Sequence, residues 1–569
     1  MTLVSLVTGT FNRLDHLRAM IASAREALPV GDYEIIVVDG GSTDGTLDYC
    51  RSQNDVVLIE HGALRGAIRA FTDGGNAARG TYTLLANDDI VFPKREAIFR
   101  AIRHLEQTPT CGAVAFGDNR PQRGYTGQGY KVNLMPVVDR GRPSHRPYAQ
   151  VGLFRTGLAK TLGWWGADDP CMSAASAGTY GGDNWLSARI WEAGYTVDVV
   201  KGVYCADNMV EDGLRAHNYA LESLKPNGYY RCYPNGPVIT PPVQVEPTDP
   251  VMRILYLPIF ETGPLHAQQR KTKRGLREAL QRVGHVWEID YLNAASLDLT
   301  ECVAAWQPDL ILSQFHGPFL TPAQIRHIRA QAPTALWVNW NGDAHLHGLT
   351  SERVLDMVRE FDLQLVVNAF ALPLYRERGV RAAYWQVGYE DCGADEAEAY
   401  DVVFLANAYN AERKAIEEAV RGMTGVKAGF FGQNWARADG ENLYDFAAGE
   451  GLYRECKIAL ADCWSPEQNV AFTSNRLIQA LGAGAFVLQQ TIPALDEYTH
   501  FRAGEHYVTW NDLDDLKDKI AYWLSPKRAA KRKAIGRAGQ AVVRAHYTFD
   551  ALVKQLLDVI IPEALDERA

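Results

Sequence analysis

The sequence predicts an α/β chain made of two strand-and-helix bodies in series. Three observations predict it. Short apolar runs alternate with helical stretches both before and after residue 245. Six prolines between Pro234 and Pro250, in PNGPVITPPVQVEPTDP, interrupt that alternation once. Each proline fixes φ and removes a donor, so the stretch reads as a stiff, extended linker. The 569 residues are too many for one core and suit two to four domains.

In the first body, LVSLVTGT predicts a strand and Leu14 to Ala27 a helix. YEIIVVDGG predicts the next strand, Thr46 to Gln53 a helix and VVLIEH a strand. A helical stretch around Ala70 to Ala78 leads to the strand TYTLLANDD. Further strands near Ala113 to Phe116 and Gln150 to Phe154 precede a helix at Asn184 to Ala193. The pattern predicts a parallel, Rossmann-like sheet.

The second body divides again near Cys392 to Tyr400, an acidic stretch with Gly and Ala. Before it lie six strand candidates: RILYLPIF, VWEID, DLILSQF, ALWVNWNGD, LQLVVNA and AYWQVGY. After it lie five: YDVVFLANA, VKAGFFG, KIALADC, AFVLQQ and HYVTW. Two Rossmann-like halves flanking a cleft follow, with ligands at the carboxyl ends of the strands. The predicted domains are residues 1–232, a linker at 233–251, and halves at 252–392 and 393–569. A cut near Val243 is expected to give two separately folding pieces.

A net charge of −10 argues against a protein that grips nucleic acid mainly through phosphates, while leaving room for a local basic groove. No run of about 18 apolar residues occurs, so no membrane-spanning helix is expected. The start, MTLVSLVTGTFNRLDH, reads as a core strand rather than a signal peptide. The nine cysteines show no C-x-x-C pair, which predicts reduced, mostly buried thiols in a cytoplasmic protein.

Three acidic elements of the first body point to chemistry. Asp39 ends a strand, where a carboxylate accepts hydrogen bonds from a base or a ribose, or shapes and caps the loop with Ser42. Asn87, Asp88 and Asp89 end another strand. They offer hard oxygen ligands for Mg²⁺ or Mn²⁺ on a diphosphate, or form a solvated acidic turn. Asp183 opens a helix after two glycines, as a general base or as an N-cap.

In order, SLVTGTFNR, VVDGGSTDGT, NDD and GGDNWLSARIWEAGY resemble family 2 glycosyltransferases of the GT-A fold over residues 1 to 220. The resemblance implies that Asp39 contacts the base or ribose of a UDP-sugar, that Asp88 and Asp89 hold the metal diphosphate, and that Asp183 is the catalytic base. It implies Mn²⁺ or Mg²⁺ as cofactor and direct displacement with inversion. Gly40, Asn87 and Gly182 stand where the family usually has Asp, Asp and Glu. Thr8 and Arg13 are candidates to flank the base, and Arg65 or Arg69 to offset diphosphate charge. His217 falls where the family often has a further metal ligand.

In the second body, FFGQNW and TSNRLIQALGAGAFVLQQ resemble GT-B glycosyltransferases of the family 4 and spore-maturation-protein-B type over residues 252 to 555. Ser474, Asn475 and Arg476 at a helix start would make an anion site. Gln479 stands where the family has a Glu that contacts the donor ribose; an amide hydrogen-bonds hydroxyls but carries no charge. Asp343, in NWNGDAHLHG, is a candidate base, with His345 and His347 beside it. The second module is therefore expected to be a second transferase or a non-catalytic acceptor-binding or docking unit. The implied partners are a nucleotide-sugar donor and an acceptor that is a surface glycan, a protein hydroxyl or a hydroxymethylated base in phage DNA.

Overall fold

The structure, a computed structural model, describes residues 2–28, 32–118, 132–175, 181–208, 228–240, 251–258, 266–289, 299–342, 351–391, 400–440, 446–463 and 469–566. The chain divides into two compact units. The first comprises Met1–Val251 and Asp298–Gln307; the second comprises Met252–Leu297 and Pro308–Ala569.

The first unit contains strands β1 (Val4–Thr10), β2 (Tyr33–Asp39), β3 (Val56–Glu60), β4 (Tyr82–Leu85), β5 (Ile90–Val91), β6 (Cys111–Gly117), β7 (Leu134–Asp139), β8 (Arg142–Pro147), β9 (Gly152–Arg155), β10 (Thr196–Tyr204) and β11 (Ala206–Asp207). Seven of them form one sheet in the order β10-β6-β9-β4-β1-β2-β3. Around β1 the pairing is parallel, as the sequence predicts. The all-parallel expectation fails at β9, which runs antiparallel to both β4 and β6. A strand's direction is set by the route its chain takes, which the apolar run GLFR does not encode.

Helix Leu14–Ala27 shows why local sequence and fold agree here. Leu17, Met20, Ile21 and Ala24 recur at three- and four-residue steps and are all buried. The helix starts where the Leu14 N–H donates to Asp44 Oδ2 at 3.0 Å. It ends at Leu28, whose backbone is extended at φ −79°, immediately before a proline. The loops after β1 and β2 are thereby tied together just beyond the sheet's carboxyl edge.

Two corrections concern covalent and linker structure. Cys171 and Cys232 form a disulfide with a Cα–Cα distance of 6.0 Å, so the reading of all cysteines as free thiols does not hold. Their 61-residue separation hides the pair in the sequence, and the helices Pro170–Ala175 and Gly228–Cys232 pack together to create it. Of the other described cysteines, only Cys456 is not fully buried. The linker reading also changes. The Val138 N–H donates to Pro237 O and the Ile239 N–H to Val138 O, both at 2.9 Å, so residues 237–239 extend the β7 edge. Residues 241–250 lie outside the described residues.

The helix Leu299–Trp306 belongs to the first unit, although it follows the linker in sequence. Trp306 is fully buried and meets Phe99 edge-on, with centroids 4.7 Å apart. The Arg103 guanidinium donates to Ala304 O at 2.9 Å. A fragment ending at residue 240 is therefore expected to fold but to melt several degrees below the first unit of the whole chain, because Phe99 loses its cover. Calorimetry of the fragment with and without the 299–306 segment fused to it checks this; equal melting temperatures would contradict it.

The second unit holds two parallel sheets. Strands β12 (Met252–Leu257), β13 (Gly284–Glu288), β14 (Leu310–Ser313), β15 (Leu336–Asn341), β16 (Leu363–Val366) and β17 (Ala382–Tyr384) are ordered β13-β12-β14-β15-β16-β17. Strands β18 (Val402–Leu405), β19 (Ala428–Phe431), β20 (Ile458–Ala461), β21 (Val487–Gln490) and β22 (Val508–Trp510) are ordered β19-β18-β20-β21-β22. All pairings in both are parallel. Within the second unit the C-terminal helices return to the sheet that ends in β17, where the Trp385 indole N–H donates to Leu552 O at 3.2 Å. These are a GT-A body and a GT-B body of two Rossmann-like halves. Among the described residues, no helix is long and apolar enough to cross a membrane.

Candidate active site

The carboxyl ends of β2, β1 and β4 are neighbours in the first sheet, and they carry the acidic residues the sequence singles out. Thr10 pairs with Asp39 in register, so the last residues of β1 and β2 lie side by side.

Asp39 is fully buried. Its Oδ1 accepts the N–H groups of Gly41 and Ser42, each at 2.8 Å. Its Oδ2 has no partner. The loop-shaping and ligand-binding readings of Asp39 thus apply to different oxygens. A buried carboxylate oxygen without a partner is costly, and a donor N–H or hydroxyl from a ligand would satisfy it. Gly41 lies at φ 92°, where an added Cβ would meet the Gly62 backbone at 2.9 Å, so only glycine serves there. A Cβ at Gly40 would lie 3.1 Å from Leu64 and 3.3 Å from Phe11, so the family's usual second Asp would need a small shift of the Leu64 side chain. Thr8 is also fully buried with an unpartnered hydroxyl.

Asp88 and Asp89 are each only 3% exposed. Asp88 Oδ2 accepts the Thr10 hydroxyl at 2.8 Å and Oδ1 accepts the Arg13 guanidinium at 3.0 Å. Arg13 also lies 3.8 Å from Asp89 Oδ2. Arg13, the candidate to flank the base, thus has its charge beside the carboxylate pair. Burial pushes the Asp88 carboxyl up to about 6, with Arg13 opposing the rise and Asp89 adding to it. Two carboxylates and one guanidinium leave a net negative charge in a buried place lined by hard oxygens. That donor set fits Mg²⁺ or Mn²⁺.

The sequence reading missed several parts of this site. Thr10 orients Asp88, as above. Asn12, at φ 53°, accepts the Thr43 N–H at 2.7 Å, and its own N–H donates to Ser42 Oγ at 2.8 Å. Asp207 arrives on β11, which pairs with β5 directly after Asp89, and the Asn208 N–H donates to Asp89 O at 3.0 Å. No short-range signal marks Asp207, because 118 residues of chain separate it from Asp89 (207 − 89).

Asp183 lies in the first turn of helix Gly182–Glu192, half-buried. The N-cap is Gly181 at φ 93°, so the capping alternative for Asp183 falls. Its Oδ1 accepts the Asn184 N–H at 2.9 Å. Gly182 is explained by Trp165, whose ring would lie 2.5 Å from an added Cβ. Trp165 in turn stacks on Phe71, with centroids 4.0 Å apart. The family's Glu has no room.

The two further arginines differ. Arg69 is bound to Asp73 at 3.3 Å and Asp168 at 2.7 Å, so it does not stand ready for a diphosphate. Arg65 is exposed and makes no ion pair among the described residues. His217, Asp343, His345 and His347 lie outside the described residues.

In the second unit, helix Asn475–Gly482 starts at Ser474, whose side chain makes no cap bond. Ser474 is half-buried, Asn475 exposed and Gln479 buried. Arg476 does not point to a free anion site. It donates to Asp462 Oδ1 at 2.6 Å and to Leu405 O at 2.5 Å, and lies over the Phe404 ring. Asp462 also accepts from Arg413 at 2.6 and 3.1 Å. Burial alone would raise the Asp462 carboxyl, but Arg476 and Arg413 outweigh it and hold it below the usual carboxylate range. The expected anion site at Arg476 is thus corrected to a buried triad just past β20.

Residues 5–152 match the family described as glycosyl transferase family 2, and residues 412–558 match the family described as glycosyl transferase-like. No curated protein matches the chain. Among solved structures, the chain is similar to a mannosyltransferase from Pyrobaculum calidifontis in complex with GDP-Man and Mn²⁺. There the identity is 18% and the TM-score 0.28, over 40% of this chain and 67% of that one. It is also similar to HepE of Anabaena in complex with UDP and glucose, at 12% identity and TM-score 0.39, over 54% of this chain and 99% of that one. A glycosyltransferase from Rickettsia africae gives 11% identity and TM-score 0.39, over 56% of this chain and 99% of that one. The chain is a glycosyltransferase, with a family 2 region in its first unit and a glycosyl transferase-like region in its second.

Proposed function

We propose that the first module transfers a sugar from a nucleotide-sugar donor, a UDP-sugar in this reading, to an acceptor hydroxyl with inversion. The carrying observation is the grouping of Asp39, with its unpartnered Oδ2, and the Asp88–Asp89 pair at the carboxyl ends of β2 and β4, the two strands that flank β1. Asp39 Oδ2 would accept a hydrogen bond from the base or ribose, and Thr8 is its proposed companion. Asp88 and Asp89 would hold Mn²⁺ or Mg²⁺, with His217 as a proposed further ligand. A bound cation supplies Lewis acidity toward the diphosphate leaving group. Arg13 fixes the Asp88 carboxylate, and the exposed Arg65 is the remaining arginine for leaving-group charge. Asp183 would take the acceptor proton.

Ser474, Asn475 and Gln479 are the proposed donor contacts of the second module, and Asp343 its proposed base. The Asp462 triad favours a second reading, in which this module docks an acceptor without catalysis, because Arg476 is already neutralised. The acceptor is proposed as a surface glycan, a protein hydroxyl or a hydroxymethylated base in phage DNA. The cytoplasm remains the proposed compartment.

Calorimetric titration of the full chain with nucleoside diphosphates tests the donor site. Binding is expected to strengthen with Mn²⁺, and Asp89→Ala is expected to lose at least about tenfold of that gain. Equal binding with and without the cation in the wild type would overturn the assignment.

A further inference from the structure

A second cluster of metal-ligating side chains lies in the first unit. His104, Cys111 and Asp198 each bring one ligand atom within 4.8 Å of the others. They come from three elements: the last turn of helix Glu96–Gln107, the first residue of β6, and β10. His104 Nε2 and Asp198 Oδ2 are 2.7 Å apart. Cys111 is fully buried, while His104 and Asp198 side chains are each 29% exposed. The cluster is thus closed on the thiol side and open on the other. The open side meets a cavity of about 780 Å³, whose lining includes His104, Asp198, Arg140, His145, Trp191 and Tyr195.

This place is separate from the donor site. Cys111 opens β6, and the other end of that seven-residue strand, Gly117, accepts the Cys205 N–H beside β11 and Asp207. A strand of that length spans roughly 20 Å. The two clusters therefore sit at opposite ends of β6, and their chemistry differs. Asp88 and Asp89 offer only oxygen. The second cluster offers a nitrogen, a sulfur and an oxygen, the mixed set that suits Zn²⁺ rather than Mg²⁺ or Mn²⁺.

We propose that His104, Cys111 and Asp198 bind Zn²⁺, with the fourth coordination position open to the cavity. Tetrahedral zinc with these ligands needs its donor atoms about 3.3–3.8 Å apart. The His104–Asp198 pair must open by about 1 Å, which a side-chain rotation on the exposed side provides, and the buried thiol stays in place while its proton leaves to solvent. Three protein ligands and one open position are the arrangement of a reactive rather than a closed structural zinc site. Arg140 and His145 on the same cavity wall would favour water or a small anion as the fourth ligand.

The probe is Co²⁺, added to the full chain in excess Mg²⁺ so that the oxygen-only site is occupied. One equivalent is expected to bind with a thiolate-to-cobalt charge-transfer absorption, which Zn²⁺ then displaces. Cys111→Ser is expected to lose the band. His104→Gln and Asp198→Asn change partly exposed side chains, keep Cys111 itself, and are expected to weaken Co²⁺ binding at least about tenfold. If Cys111→Ser does not fold, those two variants decide the matter. No thiolate band in the folded wild type, or an undiminished band in His104→Gln and Asp198→Asn, would overturn the proposal.

Discussion

Asp183→Asn is expected to slow sugar transfer about 10²- to 10⁴-fold, the usual cost of losing a positioned general base. The amide cannot take a proton at neutral pH, but it retains an oxygen to accept the Asn184 N–H. The helix start is set by Gly181, not by the Asp183 side chain, so folding should be little affected. Removing the acidic charge from the first turn costs up to about 2 kcal/mol at a partly buried position. The expected signature is a collapsed kcat, an almost unchanged donor affinity and a nearly unchanged melting temperature. Loss of transfer together with a large loss of stability would instead make Asp183 a structural residue. Unchanged turnover would remove it from the mechanism altogether.

Asp462→Asn is expected to destabilise the second unit by about 3–5 kcal/mol, because it leaves Arg413 and Arg476 buried without a counter-charge. Arg413 is 6% exposed, and its bond to Asn407 O supplies no counter-charge. Burial already lowers the Arg476 pKa, a sign that this charge depends on its partner. The pH dependence has the opposite sense to that of Asp88. Asp462 is held below its ordinary value of 3.8, so its contribution is complete above that pH and is lost as acid brings the pH below it. Chemical denaturation of wild type and variant at neutral pH checks the magnitude. A change under 1 kcal/mol would mean that the two guanidiniums find water when the carboxylate is gone.

The legible parts of this protein are those written in contiguous residues. Strands buried in parallel sheets are continuous apolar runs, so β12 to β22 can be read directly from segments such as DLILSQF and KIALADC. The same holds for Asp39 and the Asn87–Asp89 turn, which end such runs. The strand β8, RPSHRP, has no apolar alternation to read, and β5 and β11 are only two residues long. The partners of the arginines are not legible for a different reason. Their partners are remote: Arg13 lies 75 residues from Asp88, and Arg69 lies 99 residues from Asp168. A guanidinium beside a phosphate-binding motif looks available until the fold brings a carboxylate to it. The disulfide and the first-unit helix Leu299–Trp306 were hidden by the same long-range pairing.

The most direct test is nucleoside diphosphate release by the full chain from a panel of nucleotide sugars, with Mn²⁺ and with excess chelator. The central claim is that Asp88 and Asp89 form a metal-dependent donor site. It predicts release from at least one donor with Mn²⁺ and loss of that release in chelator and in Asp89→Ala. Undiminished release in chelator, or in Asp89→Ala with Mn²⁺ present, would contradict it.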